Sequence, residues 1–330
     1  MKKVLVIGAT GNMGTPLCPL LVNAGYEVHA IAEEIGKNTT PGVTYHLADA
    51  MDHDALQRFL DRKFDAIVDF MAYREPGFFA ERLPRILGAT GQYVLFSSYR
   101  VYADSREILT ETSPRLSDAL APDDPWRSRA GYAQAKCAME DMLHASPLQN
   151  WTALRPVNVY SPKRIPLVTW TKTEVAERAY AGKKLLLPRE AMPVRANIIC
   201  CEDAAKMIAG VVLNEKAFGE IYNVASSENP TWNEILDFYH DEIGLEAELC
   251  DAKDFPQIVY GDSLAGKLDW WNNIFWYSRV YDLDVDNTKI LRATGLRRED
   301  LTPVREGLAP MLKGAIRQAY RNMDAYLEGK

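Results

Sequence analysis

Tyr132 and Lys136, four residues apart in the run Tyr132-Ala-Gln-Ala-Lys136, could do proton chemistry together. On a helix they share one face, so a phenol and an ammonium look into the same cleft. A free tyrosine titrates near ~10 and is a poor base at neutral pH, whereas a fixed positive charge beside it favours the phenolate. So tuned, it takes a proton from a substrate alcohol while hydride leaves the carbinol carbon for a nicotinamide. The same spacing recurs at Tyr180/Lys184 and Tyr326/Lys330, so context has to choose. Gly182 interrupts the second pair at an expected helix end, and the third sits at the terminus. The first pair lies on an expected helix from about 128 to 144, just after a strand over 92–96 that delivers Ser97 and Ser98.

The elements that must hold these groups read as an α/β fold. Lys3-Val-Leu-Val-Ile7 is a short apolar run suited to a buried parallel strand. It leads into Gly8-Ala-Thr-Gly11-Asn12-Met13-Gly14, followed by an expected helix to about residue 24. Strand, glycine turn and helix make a dinucleotide cradle, in which the backbone approaches a pyrophosphate and the helix N-terminus faces it. Pro16 and Pro19 are expected to delay or kink that helix. A second strand over 27–31 ends in Ala32-Glu33-Glu34. A carboxylate there accepts from an adenosine ribose and repels a 2′-phosphate, so Glu33 favours NAD over NADP, with a plain surface glutamate as the alternative. A third strand over 43–47 leads to Ala48-Asp49-Ala50, where Asp49 meets an adenine amino group or simply makes a turn. The strand over 64–71 brings Phe70, Met71 and Ala72 beneath the cofactor. In an open parallel sheet, ligands sit beyond the carboxyl ends of the strands. That location separates Ser98 from an ordinary turn serine.

With 330 residues, 47% hydrophobic and 25% charged, the chain reads as a globular protein of two domains. Residues 1–162 form the expected Rossmann-type, doubly wound domain, to which 198–226 return. Residues 163–197 and 227–330 form a smaller α/β substrate domain. A net charge of -7 argues against a general nucleic-acid or membrane-surface partner. The apolar run after Met1-Lys2-Lys3 is too short for a signal segment, so a cytoplasmic protein is expected. Five cysteines, without zinc spacing, read as reduced core thiols, and no metal site is expected.

The ordered set Gly8-x-x-Gly11-x-x-Gly14, Ser98 three residues before Val101-Tyr102, and Tyr132-x-x-x-Lys136 resembles the extended short-chain dehydrogenase/reductase family. Leu154-Arg-Pro-Val-Asn158-Val-Tyr160, Gly219-Glu-Ile-Tyr-Asn223-Val224 and Val285-Asp-Asn-Thr-Lys289 look like its nucleotide-sugar epimerase/dehydratase branch, of the UDP-glucose 4-epimerase kind. The resemblance implies that Tyr132 is the acid/base, that Lys136 lowers its pKa and holds the nicotinamide ribose, and that Ser98 bonds the reacting oxygen. It implies a cofactor set of Gly8, Gly11, Asn12, Met13, Gly14, Glu33, Asp49, Ala50, Phe70, Met71, Ala72, Ser97, Tyr132, Lys136 and Pro156. Asn158 would contact substrate near a diphosphate. A homodimer paired through helices that include the one bearing Tyr132 is also implied.

Departures from the pattern sharpen the reading. The family's dehydratases place an acid directly after the catalytic Ser/Thr, whereas Tyr99-Arg100 follow here. Elimination of water lacks its usual acid, and epimerisation needs none. The diphosphate arginine would fall on Ala196, with Arg195 one residue off; in a strand, that slip turns a side chain to the opposite face. Arg164 and Arg195 belong to a cationic stretch from Lys163 to Arg195 that suits a diphosphate or is a solvated basic face. Trp270, Trp271 and Trp276 are either a sugar-stacking wall or domain core. The leading expectation is an NAD-dependent nucleotide-sugar 4-epimerase. The alternatives are a net dehydrogenase/reductase of another hydroxylated molecule and a non-catalytic nucleotide- or RNA-binding protein.

Overall fold

The computed structural model describes the chain except residues 37–38, 129–130, 267, 269–274 and 329–330. Seven strands form one parallel sheet: β1 (Lys3–Ile7), β2 (Glu27–Ala32), β3 (Val43–Leu47), β4 (Phe64–Asp69), β5 (Thr90–Phe96), β6 (Trp151–Pro156) and β7 (Glu220–Val224). The order across the sheet is β7-β6-β5-β4-β1-β2-β3. The chain therefore starts in the middle and winds outward both ways, the Rossmann-type pattern with a switch point between β1 and β4. In register, Ile7 pairs with Asp69 and Ile31, and Phe96 with Leu154, so the carboxyl ends share one rim.

Both faces of the sheet are covered, which is why its strands are continuous apolar runs rather than alternating ones. Val4, Val6 and Val68 face a core with α1 (Gly14–Asn23). Leu5, Ile7 and Ile67 face another with α2 (His53–Leu60), α3 (Pro76–Ala89) and part of α4 (Tyr132–Ala145). Helix α1 starts at Gly14, which places Pro16 in the first turn, where a missing N–H costs no helical bond. Pro19 stands inside the helix, which nonetheless runs on to Asn23.

A separate apolar cluster lies beyond the rim. It gathers α5 (Lys172–Tyr180), α7 (Trp232–Ile243) and α8 (Val304–Glu328) around Trp232, Tyr239 and Phe275. Between α5 and α7 in sequence, α6 (Cys201–Val211) packs back on α1, and β7 extends the main sheet beside β6. Two capping boxes, Thr171/Glu174 and Thr231/Glu234, fix where α5 and α7 begin. No helix among the described residues is long and apolar enough to cross a membrane.

Candidate active site

The rim of the sheet and the start of α4 bring the catalytic candidates together. Gly131 is the N-cap of α4, so Tyr132 opens the helix and Lys136 lies one turn further in. Lys136 is 1% exposed and its Nζ donates to the Phe96 carbonyl at 2.6 Å, at the end of β5. Ser98 follows two residues later; its Oγ accepts from Arg100 N at 3.2 Å, and its hydroxyl is near enough to the Tyr132 phenol to favour the phenolate. Tyr132 keeps 37% of its surface exposed. The Lys136 ammonium stands 5.5 Å from its ring centre and the Arg100 guanidinium 5.6 Å.

The electrostatics correct one expectation. Burial of the phenol outweighs everything else and holds Tyr132 above the ordinary tyrosine value. The opposing pull comes from Arg100, the Ser98 hydroxyl and Arg164, not from Lys136. Burial also pushes Lys136 down to about 8, against the favourable charges of Asp69 and Glu140. Its ammonium points at a backbone carbonyl, so its visible role is to tie α4 to the end of β5.

That tie belongs to a buried network that sequence reading missed. Glu140, one further turn along α4, accepts from Ser97 Oγ at 2.5 Å and from both Nε and Nη2 of Arg155, at 2.9 and 2.7 Å. Arg155 also reaches Tyr102 Oη and the Glu111 carbonyl. Ser97 therefore spends its hydroxyl on α4 rather than on a ligand. The only signal in the sequence was the helical period Tyr132, Lys136, Glu140, which reads equally well as surface charge.

The cofactor candidates line the same rim. Gly8 has φ +79°, and a side chain there would also press on Phe70 Cβ at 3.3 Å. At Gly14 a Cβ would lie 2.5 Å from the Ala9 backbone, so only glycine lets α1 come down onto the end of β1. Helix α1 has Met13 as its N-cap, without a side-chain hydrogen bond, and no acid in its first turn. Such a helix start is fit to face a phosphate, and the cradle fits a dinucleotide. Asn12 Oδ1 accepts from Ser161 Oγ at 2.9 Å, and Lys163 Nζ donates to the Thr10 carbonyl. Asp49 makes a turn: its Oδ1 accepts from Met51 N at 2.7 Å. Behind it, Arg82 is buried and holds the Ala50 and Met51 carbonyls. Glu33 is exposed just past β2, Met71 and Ala72 follow β4, and Pro156 closes β6.

On the substrate side, Asn158 donates to Tyr99 Oη at 2.9 Å and to the Ala196 carbonyl at 3.1 Å. Arg195 is elsewhere, ion-paired with Asp282 at 2.9 Å and lining a cavity with Asn197, Asn229 and Asp284. That cavity contains none of Ser98, Tyr132 or Lys136. The arginine beside Asn158 is instead Arg279, 7% exposed and delivered by the segment after the aromatic run. Trp276 is exposed, with its ring edge-on to Phe275, whereas Trp270 and Trp271 lie outside the described residues.

Residues 4–225 match the family described as the NAD dependent epimerase/dehydratase family. The chain belongs to this family. A UDP-glucuronic acid 4-epimerase from Bacillus cereus, solved with NAD, superposes with a TM-score of 0.69 at 16% identity, covering 95% of this chain and 96% of that one. A UDP-glucose 4-epimerase from Thermus thermophilus, also solved with NAD, gives 0.64 at 20% identity over 95% and 98%. At those identities the likeness establishes the fold. In sequence, the chain is 28% identical over 275 residues to the chloroplast stem-loop binding protein of 41 kDa b from Arabidopsis thaliana. That match covers 78% of this chain and spans 64% of the plant protein's length.

Proposed function

We propose that this member of the epimerase/dehydratase family is an NAD-dependent nucleotide-sugar epimerase of the 4-epimerase type, with Ser98, Tyr132 and Lys136 at its centre. The observation that carries the reading is the meeting of Ser98, just past the end of β5, with Tyr132 at the start of α4, where the Arg100 guanidinium rather than a carboxylate stands 5.6 Å from the phenol ring. When bound, NAD supplies the two-electron acceptor and donor. Gly8, Gly11, Asn12, Met13 and Gly14 would hold its pyrophosphate, and Glu33 its adenosine ribose. Asp49, Ala50, Phe70, Met71, Ala72, Ser97 and Pro156 would line its remaining path. Asn158 and Arg164 would orient the substrate.

The protein's own work is proton transfer and orientation. Ser98 holds the carbinol oxygen toward Tyr132, whose phenolate takes the proton and whose phenol later returns it. Arg100 and Arg164 favour the phenolate, and Lys136 keeps α4, and with it Tyr132, seated on β5. Elimination of water needs a further acid near the Ser98/Tyr132 pair, and the positions after Ser98 hold Tyr99 and Arg100.

The test is incubation of the full chain and NAD with UDP-sugars. Epimer interconversion without net change in nicotinamide absorbance supports the reading; stoichiometric accumulation of the reduced cofactor supports a net dehydrogenase instead. Tyr132→Phe is expected to lower kcat by about 10²–10⁴-fold with an unchanged melting temperature. The plant relative's name gives a second reading a specific basis: RNA binding. Salt-sensitive RNA binding that survives Tyr132→Phe, in a chain without turnover on any sugar nucleotide, would establish it.

A further inference from the structure

Two thiols and a carboxylate meet away from the catalytic residues, where the short strand Ile198–Cys200 runs into α6. Cys200 ends the strand and is the N-cap of α6, Cys201 is the first residue of the helix and Glu202 the second. Both thiols turn to one oxygen: Cys200 Sγ donates to Glu202 Oε2 at 2.7 Å and Cys201 Sγ donates to it at 3.0 Å. The three atoms that could hold a metal lie within 4.8 Å of one another. Cys200 and Cys201 are 5% and 2% exposed, whereas Glu202 belongs to the surface.

A second observation points to a ligand. Tyr160 stands opposite Cys200 in the parallel pair of strands Asn158–Tyr160 and Ile198–Cys200, so their side chains lie on one face. Tyr160 is fully buried, and its Oη has no hydrogen-bond partner among the described residues. The phenol reaches to α8, where only a glycine at 307 leaves room for its hydroxyl. After burial, the Cys200 thiol does most to push this phenol up, followed by Asp203 and Glu202, so the orphan hydroxyl lies at the same cluster. A neutral thiol is a weak acceptor. A metal-bound thiolate would answer the buried donor, as outer hydrogen bonds to a ligand do.

Sulfur donors select soft and borderline ions and disfavour Mg²⁺ and Ca²⁺. Zn²⁺ sits about 2.3 Å from sulfur and about 2.0–2.2 Å from oxygen, so its tetrahedral ligands stand about 3.5–3.8 Å apart, a spacing this cluster can take up. The positive end of α6 favours anionic sulfur.

We propose that Cys200, Cys201 and Glu202 bind one thiophilic divalent cation of the Zn²⁺ class, with Tyr160 donating to the Cys200 sulfur from outside the ligand set. Two S–H protons leave to solvent as two sulfur–metal bonds form, the carboxylate supplies the third bond and water the fourth. The ion is structural. It joins α6 to the strand pair that carries Asn158, whichever reaction Ser98 and Tyr132 perform.

The experiment is titration of the full chain, reduced with a phosphine and stripped of metal by a chelator, with Co²⁺ and then Zn²⁺. One equivalent of Co²⁺ should give a sulfur-to-cobalt charge-transfer band in the near ultraviolet, which Zn²⁺ abolishes, and Zn²⁺ should raise the melting temperature. Tyr160→Phe should weaken binding by about 10–100-fold, yet leave the metal-free protein at least as stable, because the hydroxyl it removes is unpartnered. Cys200→Ser and Cys201→Ser should each weaken it further than that and diminish the band. Glu202→Gln, at the surface, keeps the test open where a buried serine unfolds the chain, and should also cost about 10-fold or more. Absence of the cobalt band in wild type overturns the proposal. So does a band that persists in both serine variants, or one that is lost in Cys250→Ser, since Cys250 is the less buried thiol. An affinity that neither Glu202→Gln nor Tyr160→Phe changes overturns it as well.

Discussion

Two buried arginines near the site, Arg155 and Arg279, are held on opposite principles. Below Tyr132, Arg155 is matched by a buried carboxylate: Glu140 takes two of its nitrogens and the Ser97 hydroxyl besides. Among the described residues, Arg279 is matched only by hydroxyls, a carbonyl and an amide oxygen. The first group is complete within the chain and fixes the register of α4 against β5 and β6. Among the described residues, no carboxylate answers the second.

The comparison can be broken most forcefully from the closed side. Glu140→Gln leaves Arg155 buried beside a neutral amide, and stability should fall by about 3–5 kcal/mol in urea unfolding. A loss under ~1 kcal/mol would show that Tyr102 and the Glu111 carbonyl suffice, and that the network does not hold α4. Arg100→Met removes a cation beside the Tyr132 ring, so the rate at pH 7 should fall on the order of 10-fold. The pH direction follows from Tyr132: Arg100 lowers its pKa, so losing that charge raises it further. Phenolate then forms at higher pH, and the alkaline-going limb of kcat must move up; a limb that stays put removes Arg100 from the chemistry. The smallest effect belongs to Arg195. Its pair with Asp282 is partly exposed, so Arg195→Ala should cost less than ~1 kcal/mol and change KM little. A large rise in KM would return Arg195 to the substrate.

Much of the fold was legible because its signals are local. The apolar runs of β1, β4 and β5, the glycine turn after Ile7 and the periodic helix from Tyr132 each lie within a few residues. Chemistry that depends on side chains meeting across the sheet was harder. A diphosphate arginine was expected near residue 196 by counting along a strand, whereas the arginine that meets Asn158 is Arg279, brought there only by the fold. Glu140 looked like one more charge on a helix, and nothing in its neighbours announces Arg155 across the gap to β6. The ammonium of Lys136 has the expected spacing, but burial and the Phe96 carbonyl decide what it does. Spacing says which groups can meet; the surroundings decide their charge.

The turn over residues 161–164 grips the glycine loop twice, through Ser161 to Asn12 and Lys163 to Thr10, and the same turn ends in Arg164. One short turn thus links the glycine loop to the Arg164 charge, which helps to pull the Tyr132 phenol down. Because coupling between two bound molecules is reciprocal, any tightening that the first imposes on Arg164 returns as an equal tightening of its own grip. Occupancy would then favour a loaded pair over either guest alone, with a retained cofactor as the natural resting condition.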